Sequence, residues 1–322
     1  MPSPRVSGVR VSALGPLLVR QGGALVPLNS PMLRWLLGLL AVQPHRMVSR
    51  DEIVDTLWGE DPPRTCLASV HVYIGRLRTM MEPGRGPRAG SLISAASGGY
   101  IFEPAPGQLD VAEFTSLVAQ ANDCIRGTDP QTAHDLFTEA LELWRGPVLA
   151  GVHPRLDSHP AVMALAGKRV RAALDYADTA LALGQADRAV SILRAVSHDE
   201  SLHEALHARL LLALASSGQQ AAALATYAKL RTRLNDELGV DPAPELEEAH
   251  LRILRGQVPT AAVDATTGRA TPAQLPGAIG GFTGRGEVLR QLDACLAASP
   301  SGSVPIVAID GTAGVGKTKS RM

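Results

Sequence analysis

The stretch TCLASVHVYIGRLRTMM, residues 65–81, carries apolar residues at the spacing of a single helix face. These residues are Leu67, Val70, Ile74, Leu77 and Met81. At 3.6 residues per turn they form one stripe along the helix, and a stripe of this kind is buried against a core. The pattern therefore predicts a helix over Thr65–Met81 with one face packed inside a small domain.

The opposite face of the same helix carries Ser69, Val72, Tyr73, Arg76 and Arg78. A helix with such a face can lie in the major groove of DNA, where arginine binds guanine edges or phosphates, and serine and valine contact base edges or a thymine methyl group. Two arginines on an amphipathic helix are also common on ordinary solvated surfaces. The interpretation therefore depends on the elements that surround the helix.

Those elements follow in a recognisable order. Strands are predicted within Val9–Leu28, with a hairpin turn at Gly22-Gly23, because glycine adopts the positive φ that such turns need. Helices are predicted over Met32–Val42, which follows Ser30-Pro31, and from Ser49, paired with Glu52 as a capping box, to Trp58. A closing hairpin is predicted from Leu92–Ala95 and Tyr100–Phe102, with its tip at 96–99. A sheet, three helices and a hairpin together predict a winged helix-turn-helix with the third helix as reader.

Several motifs of this region are similar to a known family. LGPLLV, the PMLRWLLGLLAVQPHRMVS helix, DEIVDTLWGEDPP and SVHVYIGRLR resemble the OmpR-type DNA-binding domain of the antibiotic regulatory proteins called SARPs. The resemblance covers nearly all of residues 9–257. Related winged helices often carry an arginine near the wing tip, whereas the tip here is Ala96-Ser97-Gly98-Gly99.

Residues 108–257 have a helical pattern throughout. Gly184-Gln185-Ala186 and Gly218-Gln219-Gln220 each follow one Leu/Ala-rich helix and precede an Ala-rich one, and the two glycines are 34 residues apart. This is the period of tetratricopeptide (TPR) repeats. DVAEF, LELWRGPVL and ELGVDPAPELEEAH resemble the bacterial transcriptional activation domain of SARPs. The acidic end of this region comprises Asp236, Glu237, Glu245, Glu247 and Glu248, which fit either a solvated face or a partner surface.

The last part of the chain carries a phosphate-binding motif. Residues 258–281 are rich in Ala, Pro, Thr and Gly and predict a flexible linker. The strand pattern VPIVAID then precedes GTAGVGKT, which fits the P-loop, with Gly311, Gly314, Gly316, Lys317 and Thr318 as its phosphate and magnesium ligands. FTGR at 282–285 resembles the start of the NB-ARC ATPase domain of larger SARPs. We interpret residues 282–322 as a truncated NTPase start that does not hydrolyse ATP, so ATP and magnesium are expected only in a full-length form.

Composition narrows the classes of protein that remain. The 322 residues have no net charge, but residues 1–107 hold 11 basic and 7 acidic residues, whereas residues 108–256 hold 14 and 20. The three cysteines form no CxxC or Cys/His cluster, so neither disulfides nor a metal site is predicted. No signal peptide or membrane-spanning run is present, and we expect a cytoplasmic protein without a membrane partner.

The sequence thus predicts a mainly α protein with a winged helix-turn-helix at 1–107, a TPR-like activation domain at 108–257, a linker at 258–281 and a P-loop stub at 282–322. We predict a transcriptional activator and no catalytic residues. The expected DNA contacts are Arg76 and Ser69 to base edges, Val72 to an apolar base group, Tyr73, Arg78, Arg64 and Thr65 to phosphates, and Ser97 at the wing tip.

The SARP resemblance implies more about partners. It implies head-to-tail binding of a homodimer to direct repeats overlapping the −35 region of a promoter, and contacts with the sigma factor and other subunits of RNA polymerase. The expected targets are antibiotic biosynthesis genes. Two alternatives remain at this point: a STAND-type ATP-dependent signalling switch with regulatory N-terminal domains, and a TPR adaptor that binds only protein.

Overall fold

The computed structural model describes residues 8–82 and 91–259, together with Arg290. The described residues up to 259 belong to one compact unit, which contains both a winged helix and a larger helical domain. No helix among the described residues has the length and apolar character needed to cross a membrane.

The chain begins with a small antiparallel sheet. Its strands are β1 (Val9–Ser12), β2 (Leu18–Gln21) and β3 (Ala24–Leu25), paired in that order. The turn between β2 and β3 has φ of 55° at Gly22 and 92° at Gly23. Two successive positive φ values are typical of a tight hairpin turn, so the predicted turn is confirmed.

Three helices follow, and they pack against one another. They are α1 (Pro31–Ala41), α2 (Arg50–Trp58) and α3 (Cys66–Met81). A second sheet consists of β4 (Met47–Ser49), β5 (Ile93–Ala96) and β6 (Gly99–Phe102), paired in the order β4-β6-β5, and it contacts α1 and α2. Strand β4 was not predicted from the sequence, because three residues are too few to display an alternating pattern.

Helix capping agrees with the sequence in part. The backbone N–H of Glu52 donates to Ser49 Oγ at 3.0 Å, as the capping box predicts. The carboxylate of Glu52 instead accepts a hydrogen bond from Gln43 Nε2 at 2.8 Å, so the reciprocal half of the box was predicted wrongly. Ser30 occupies the N-cap of α1 without a side-chain hydrogen bond, although Pro31 begins the helix as expected.

One residue of the predicted buried stripe of α3 was placed wrongly. Val70, Ile74, Leu77 and Met81 are buried, whereas Leu67 is 47% exposed. At 100° per residue, Leu67 points about 50° away from the mean direction of the four buried side chains, at the edge of the stripe. It also lies in the first turn of α3, where the helix emerges from the core.

The second domain consists of helices alone. The helices are α4 (Asp110–Arg126), α5 (Pro130–Glu142), α6 (Pro154–Asp157), α7 (Pro160–Ala182), α8 (Ala186–Asp199), α9 (Glu204–Ser216), α10 (Gln220–Leu238) and α11 (Pro244–Leu254). Consecutive helices pack together, α4 with α5, α7 with α8, α8 with α9 and α9 with α10, and α9 also packs against α11.

The predicted repeat is present as two equivalent turns. Gly184 and Gly218 have φ of 70° and 76°, in the left-handed region where glycine is unstrained. In each turn the N–H of the next residue donates to a carbonyl five residues back, Gln185 to Ala180 and Gln219 to Leu214, both at 2.8 Å. The structure therefore confirms the 34-residue echo.

The same turn occurs at two further places. Thr128 and Gly256 have φ of 61° and 64°. The residues after them donate five residues back at 2.9 Å, Asp129 N to Cys124 O and Gln257 N to Arg252 O. These two copies could not be predicted from the sequence, because threonine stands in the glycine position of one and neither spacing is 34 residues.

The two domains are joined by a buried carboxylate. The side chain of Asp110, at the start of α4, accepts hydrogen bonds from the backbone N–H of Ala13 at 2.8 Å and of Leu14 at 3.1 Å. Arg145 Nη2 donates to the same carboxylate at 3.2 Å. At Gly15 an added Cβ would lie 2.9 Å from Arg145 Cβ, so the loop after β1 fits tightly against the helical domain.

Backbone pairing continues this contact. Arg145 N donates to Leu14 O at 2.8 Å, and Leu149 N donates to Ala13 O at 3.0 Å. On α1, Trp35 Nε1 donates to Val152 O at 3.0 Å. The loop over residues 145–152 therefore binds both the first sheet and the first helix of the winged helix.

Candidate nucleic-acid interface

The outward face of helix α3 carries both uncharged and basic side chains. Val70 and Ile74 are buried against the other helices, which directs Val72 and Arg76 away from the protein. Val72 is 52% exposed, a high value for a large apolar side chain. The sequence of Cys66–Met81 contains no aspartate or glutamate, so nothing on α3 itself repels a phosphate.

Small residues flank those two side chains. Ala68 and Gly75 are both exposed on the outward side of α3. A Cβ added at Gly75 would meet no atom within 4 Å, so the helix backbone there faces open space. Arg76 is thus a long cationic side chain on a low, smooth surface.

The other predicted contacts at the start of α3 are accessible to different degrees. Arg64 and Thr65 are exposed just before the first turn. Ser69 and Tyr73 are half-buried, and Tyr73 packs against the hydrophobic core. The two half-buried residues lie one turn apart along one edge of the outward face.

Arg78 lies on the other edge of α3. Its Nε donates a hydrogen bond to Ile93 O of strand β5 at 2.9 Å, and the side chain is half-buried. Arg78 and Tyr73 are five positions apart, which separates them by about 140° around the helix. The sequence placed them on one face, whereas the structure puts Arg78 at the junction with the wing.

His71 lies on the same surface, beside the predicted phosphate contacts. It is exposed on α3, and its Nδ1 lies 2.7 Å from the Tyr100 hydroxyl on strand β6. The two rings meet edge to face, with centroids 6.0 Å apart. Only the pairing of β6 with β4 brings Tyr100 to this point, so spacing along the sequence could not reveal the contact.

The wing is a two-residue hairpin with a neutral tip. Ser97 is exposed there, beside Gly98 with φ of 93°. A Cβ at Gly99 would lie 2.2 Å from Val48 O, so only glycine allows β6 to approach β4 this closely. Residues 91–102 contain no arginine or lysine, which leaves Ser97 as the polar group at the tip.

Arg50 is a further residue of this surface, and the sequence did not single it out. It begins α2, and its backbone N–H donates to Gly98 O in the wing turn at 2.9 Å. Its Nε is buried without a hydrogen-bond partner among the described residues. A cation is therefore placed where α2 meets the wing.

The acidic end of the helical domain is engaged in internal contacts. Glu237 accepts from Arg233 at 2.9 Å, and Glu245 pairs with Arg209. The Tyr227 hydroxyl donates to Glu247, and burial together with this carboxylate raises the pKa of Tyr227 to about 12. Three of the five acidic residues thus stabilise the helical domain itself.

The structure does not describe the predicted phosphate loop. Gly311, Gly314, Gly316, Lys317 and Thr318 lie outside the described residues. Within the described ranges, no group of three or more His, Cys, Asp or Glu side chains is arranged to hold a metal ion.

Two protein families match the described domains. The family described as "Transcriptional regulatory protein, C terminal" matches residues 29–102, which contain α1 to β6. The family described as "Bacterial transcriptional activator domain" matches residues 109–254, which contain α4 to α11.

Individual relatives share this arrangement. The regulatory protein AfsR of Streptomyces coelicolor is 38% identical over 321 residues, which are 96% of this chain but only 32% of AfsR. The regulatory protein DnrI of Streptomyces peucetius is 30% identical over 251 residues, 77% of this chain and 92% of DnrI. The solved structure of Mycobacterium tuberculosis EmbR, determined with a low-affinity phosphopeptide, superimposes with a TM-score of 0.65 at 31% identity, over 80% of this chain and 68% of that one. With both family matches and a relative covered almost from end to end, this chain belongs to the SARP family of transcriptional regulators.

Proposed function

We propose that this chain is a sequence-specific DNA-binding activator of transcription and that α3 is its reading helix. The observation that carries the proposal is the outward face of α3, which joins an exposed Val72 and Arg76 to a helix without a single acidic residue. A helix with a cationic fork and a neighbouring apolar group can distinguish base pairs in the major groove.

The contacts divide by chemistry. Arg76 and Ser69 bind base edges, and Val72 contacts a thymine methyl or another apolar base group. Arg64 and Thr65 bind phosphates at the start of the helix, and Tyr73 binds a phosphate about two turns further along. Arg78 keeps its Nε on Ile93 O and presents the rest of its guanidinium to a phosphate, while Ser97 adds a polar contact from the wing.

His71 and Arg50 extend this proposed set of contacts. His71 is exposed on α3 and is oriented by Tyr100, so it contacts the phosphate backbone beside the reading face. Arg50 provides a phosphate contact at the start of α2, in place of the basic wing tip that the chain lacks.

The activator binds as a homodimer to direct repeats near the −35 region and recruits RNA polymerase through its sigma factor and other subunits, at promoters of antibiotic biosynthesis genes. Support for this part comes from membership of the SARP family, whose members include DnrI and AfsR. DNase I footprinting tests the repeat, sedimentation on DNA tests the dimer, and run-off transcription with purified polymerase tests recruitment.

The first experiment is a titration of the whole chain with upstream DNA at several salt concentrations. We expect selective binding, with the logarithm of the association constant falling linearly with the logarithm of salt concentration, because each phosphate contact releases a bound counterion. Binding that is equal for unrelated DNA would contradict the proposal, even with the winged-helix fold intact.

Replacing Arg76 tests the placement of the reading helix. The Arg76→Ala variant should lose about 1–3 kcal/mol of binding free energy and should discriminate less at one base position. The control is Arg194→Ala, which removes an exposed arginine from α8 and changes net charge equally. Unchanged affinity in the Arg76 variant would refute the assignment of α3 and favour a protein-only adaptor.

A further inference from the structure

A cleft of about 600 Å³ opens where the winged helix meets the helical domain. Its walls come from the loop over residues 42–46, from α4 and from α7. Clefts of roughly 300–1,000 Å³ at domain boundaries are the usual size and place of small-molecule sites.

The floor of the cleft is aliphatic. Val42, Val111 and Leu165 are buried beneath it, while Ala119 and Ala164 form exposed walls on α4 and α7. The small alanine side chains keep the cleft open. A ligand that fills it would cover apolar surface contributed by both domains.

The charged groups of the cleft all have one sign. They are Arg46 and Lys168, which line it beside the imidazole of His45, and no aspartate or glutamate is among its described lining residues. Arg46 Nη1 donates to Gln43 Oε1 at 2.9 Å, and Lys168 forms no ion pair with another described residue. In a chain with no net charge, cationic side chains thus converge on an aliphatic floor.

The position of His45 is held by the fold. Its φ is 62°, a left-handed conformation that is uncommon for residues other than glycine. Its backbone N–H donates to Phe102 O at 2.8 Å, which ties this end of the loop to strand β6. The basic edge of the cleft is therefore preorganised by the same sheet that carries the wing.

We infer that this cleft binds a small amphipathic anion, a molecule with an apolar body and one carboxylate, sulfonate or similar group. The apolar body would lie on Val42, Val111 and Leu165, and the anionic group would lie between Lys168 and Arg46. This site is separate from α3, and its occupancy does not depend on the proposed DNA contacts.

The test uses 8-anilinonaphthalene-1-sulfonate, whose fluorescence rises in apolar surroundings and which carries a single sulfonate. We expect saturable binding of one probe molecule to the folded chain. Ala164→Trp, at an exposed position of the wall, should abolish that binding by filling the cleft, and Ala119→Trp should do the same from the opposite wall. The second variant decides the outcome if the first does not fold, as judged by circular dichroism.

Charge is tested separately. Lys168→Met keeps an aliphatic side chain of similar length and should raise the dissociation constant of the probe about tenfold through the loss of one charge-assisted contact. The matched controls are Lys229→Met and Ala221→Trp, both at exposed positions of α10 outside the cleft. These controls should bind the probe as the unchanged chain does.

Competition with inorganic phosphate completes the experiment. Inorganic phosphate at the same concentration as the probe should not displace it, because phosphate lacks an apolar body. Equal displacement by phosphate would reduce the cleft to a simple anion site and overturn the inference. Probe binding that survives both tryptophan variants would also overturn it.

Discussion

Gly75 makes helix α3 less stable and brings no gain in packing. It lies inside a 16-residue helix and faces open space, so no neighbouring atom demands its small size. Glycine in a helix interior is less favourable than alanine by roughly 0.5–1 kcal/mol. A role in contact with another molecule explains its presence better than the free protein does.

Gly75→Ala should raise the free energy of unfolding by about 0.5–1 kcal/mol in urea titrations, and it should weaken DNA binding because the added methyl group holds the helix away from the bases. Gly167→Ala is the control, since that glycine also lies within a helix and faces open space. It should gain the same stability and bind DNA normally, and an equal loss of binding in both variants would contradict the prediction.

For single residues, the sequence predicts whether a side chain points inward or outward better than it predicts which groups that side chain contacts. Helical periodicity correctly turned Val72 and Arg76 outward and Val70 inward. It could not anticipate that Arg78 would donate to Ile93 O, because that contact depends on how the wing folds back on α3. Burial of a side chain near the edge of a stripe, such as Leu67, likewise depends on which elements reach it.

The recurrent unit of the helical domain is its left-handed turn. Four helices end in the same arrangement, with positive φ at Thr128, Gly184, Gly218 and Gly256. A threonine in this conformation is strained, because its Cβ lies too close to the following carbonyl oxygen. This close approach costs roughly 1–2 kcal/mol. The four turns therefore have the same hydrogen bonds but differ in backbone strain.

Paired substitutions test this difference. Gly184→Ala should lower the free energy of unfolding by about 1–2 kcal/mol, since open space surrounds the residue and only its φ of 70° opposes a side chain. Thr128→Gly should raise the free energy of unfolding by up to about 1 kcal/mol, because it removes the strain of a side chain at positive φ. Chemical denaturation of both variants is the measurement, and changes of the same sign would refute the explanation.

Turns and helix ends that depend on neighbouring residue types could be predicted from the sequence. Elements that depend on pairing with a distant part of the chain could not. Gly22-Gly23 marked a turn and Ser49 marked a helix start, and the structure confirms both. Strand β4 exists because β6 pairs with it, and the turn at Thr128 depends on the packing of α4 on α5. Neither is encoded in a short run of residue types.

Asp110 connects the two domains and should matter more than any surface ion pair between them. Asp110→Ala should cost about 3 kcal/mol, because it leaves the N–H groups of Ala13 and Leu14 without their acceptor and removes the partner of Arg145. The control is Glu113→Ala on the same helix, whose pair with Arg10 is largely exposed and should contribute less than about 1 kcal/mol. Similar losses in the two variants, measured by thermal unfolding, would contradict this ranking.

The molecule as a whole should also lose stability in mild acid. Burial, with a nearby arginine as a second cause, lowers the pKa of His153 below 6.5, and burial does the same for His207. The unfolded chain therefore takes up protons before the folded chain does, so stability is fully present above pH 6.5 and falls as pH drops below it. His207→Gln should make the fall in stability below about pH 6.5 less steep, as measured by urea titrations at several pH values.

The attachment of the loop after β1 to Asp110 and Arg145 also governs the order in which the chain can acquire its structure. A ribosome releases the first sheet long before it releases residues 110–149, which provide the partners of Ala13 and Leu14. The nascent winged helix must therefore wait, with its first loop incompletely bonded, until the helical domain begins to emerge. Fragments intended to fold independently should extend past Val152, whose carbonyl holds Trp35.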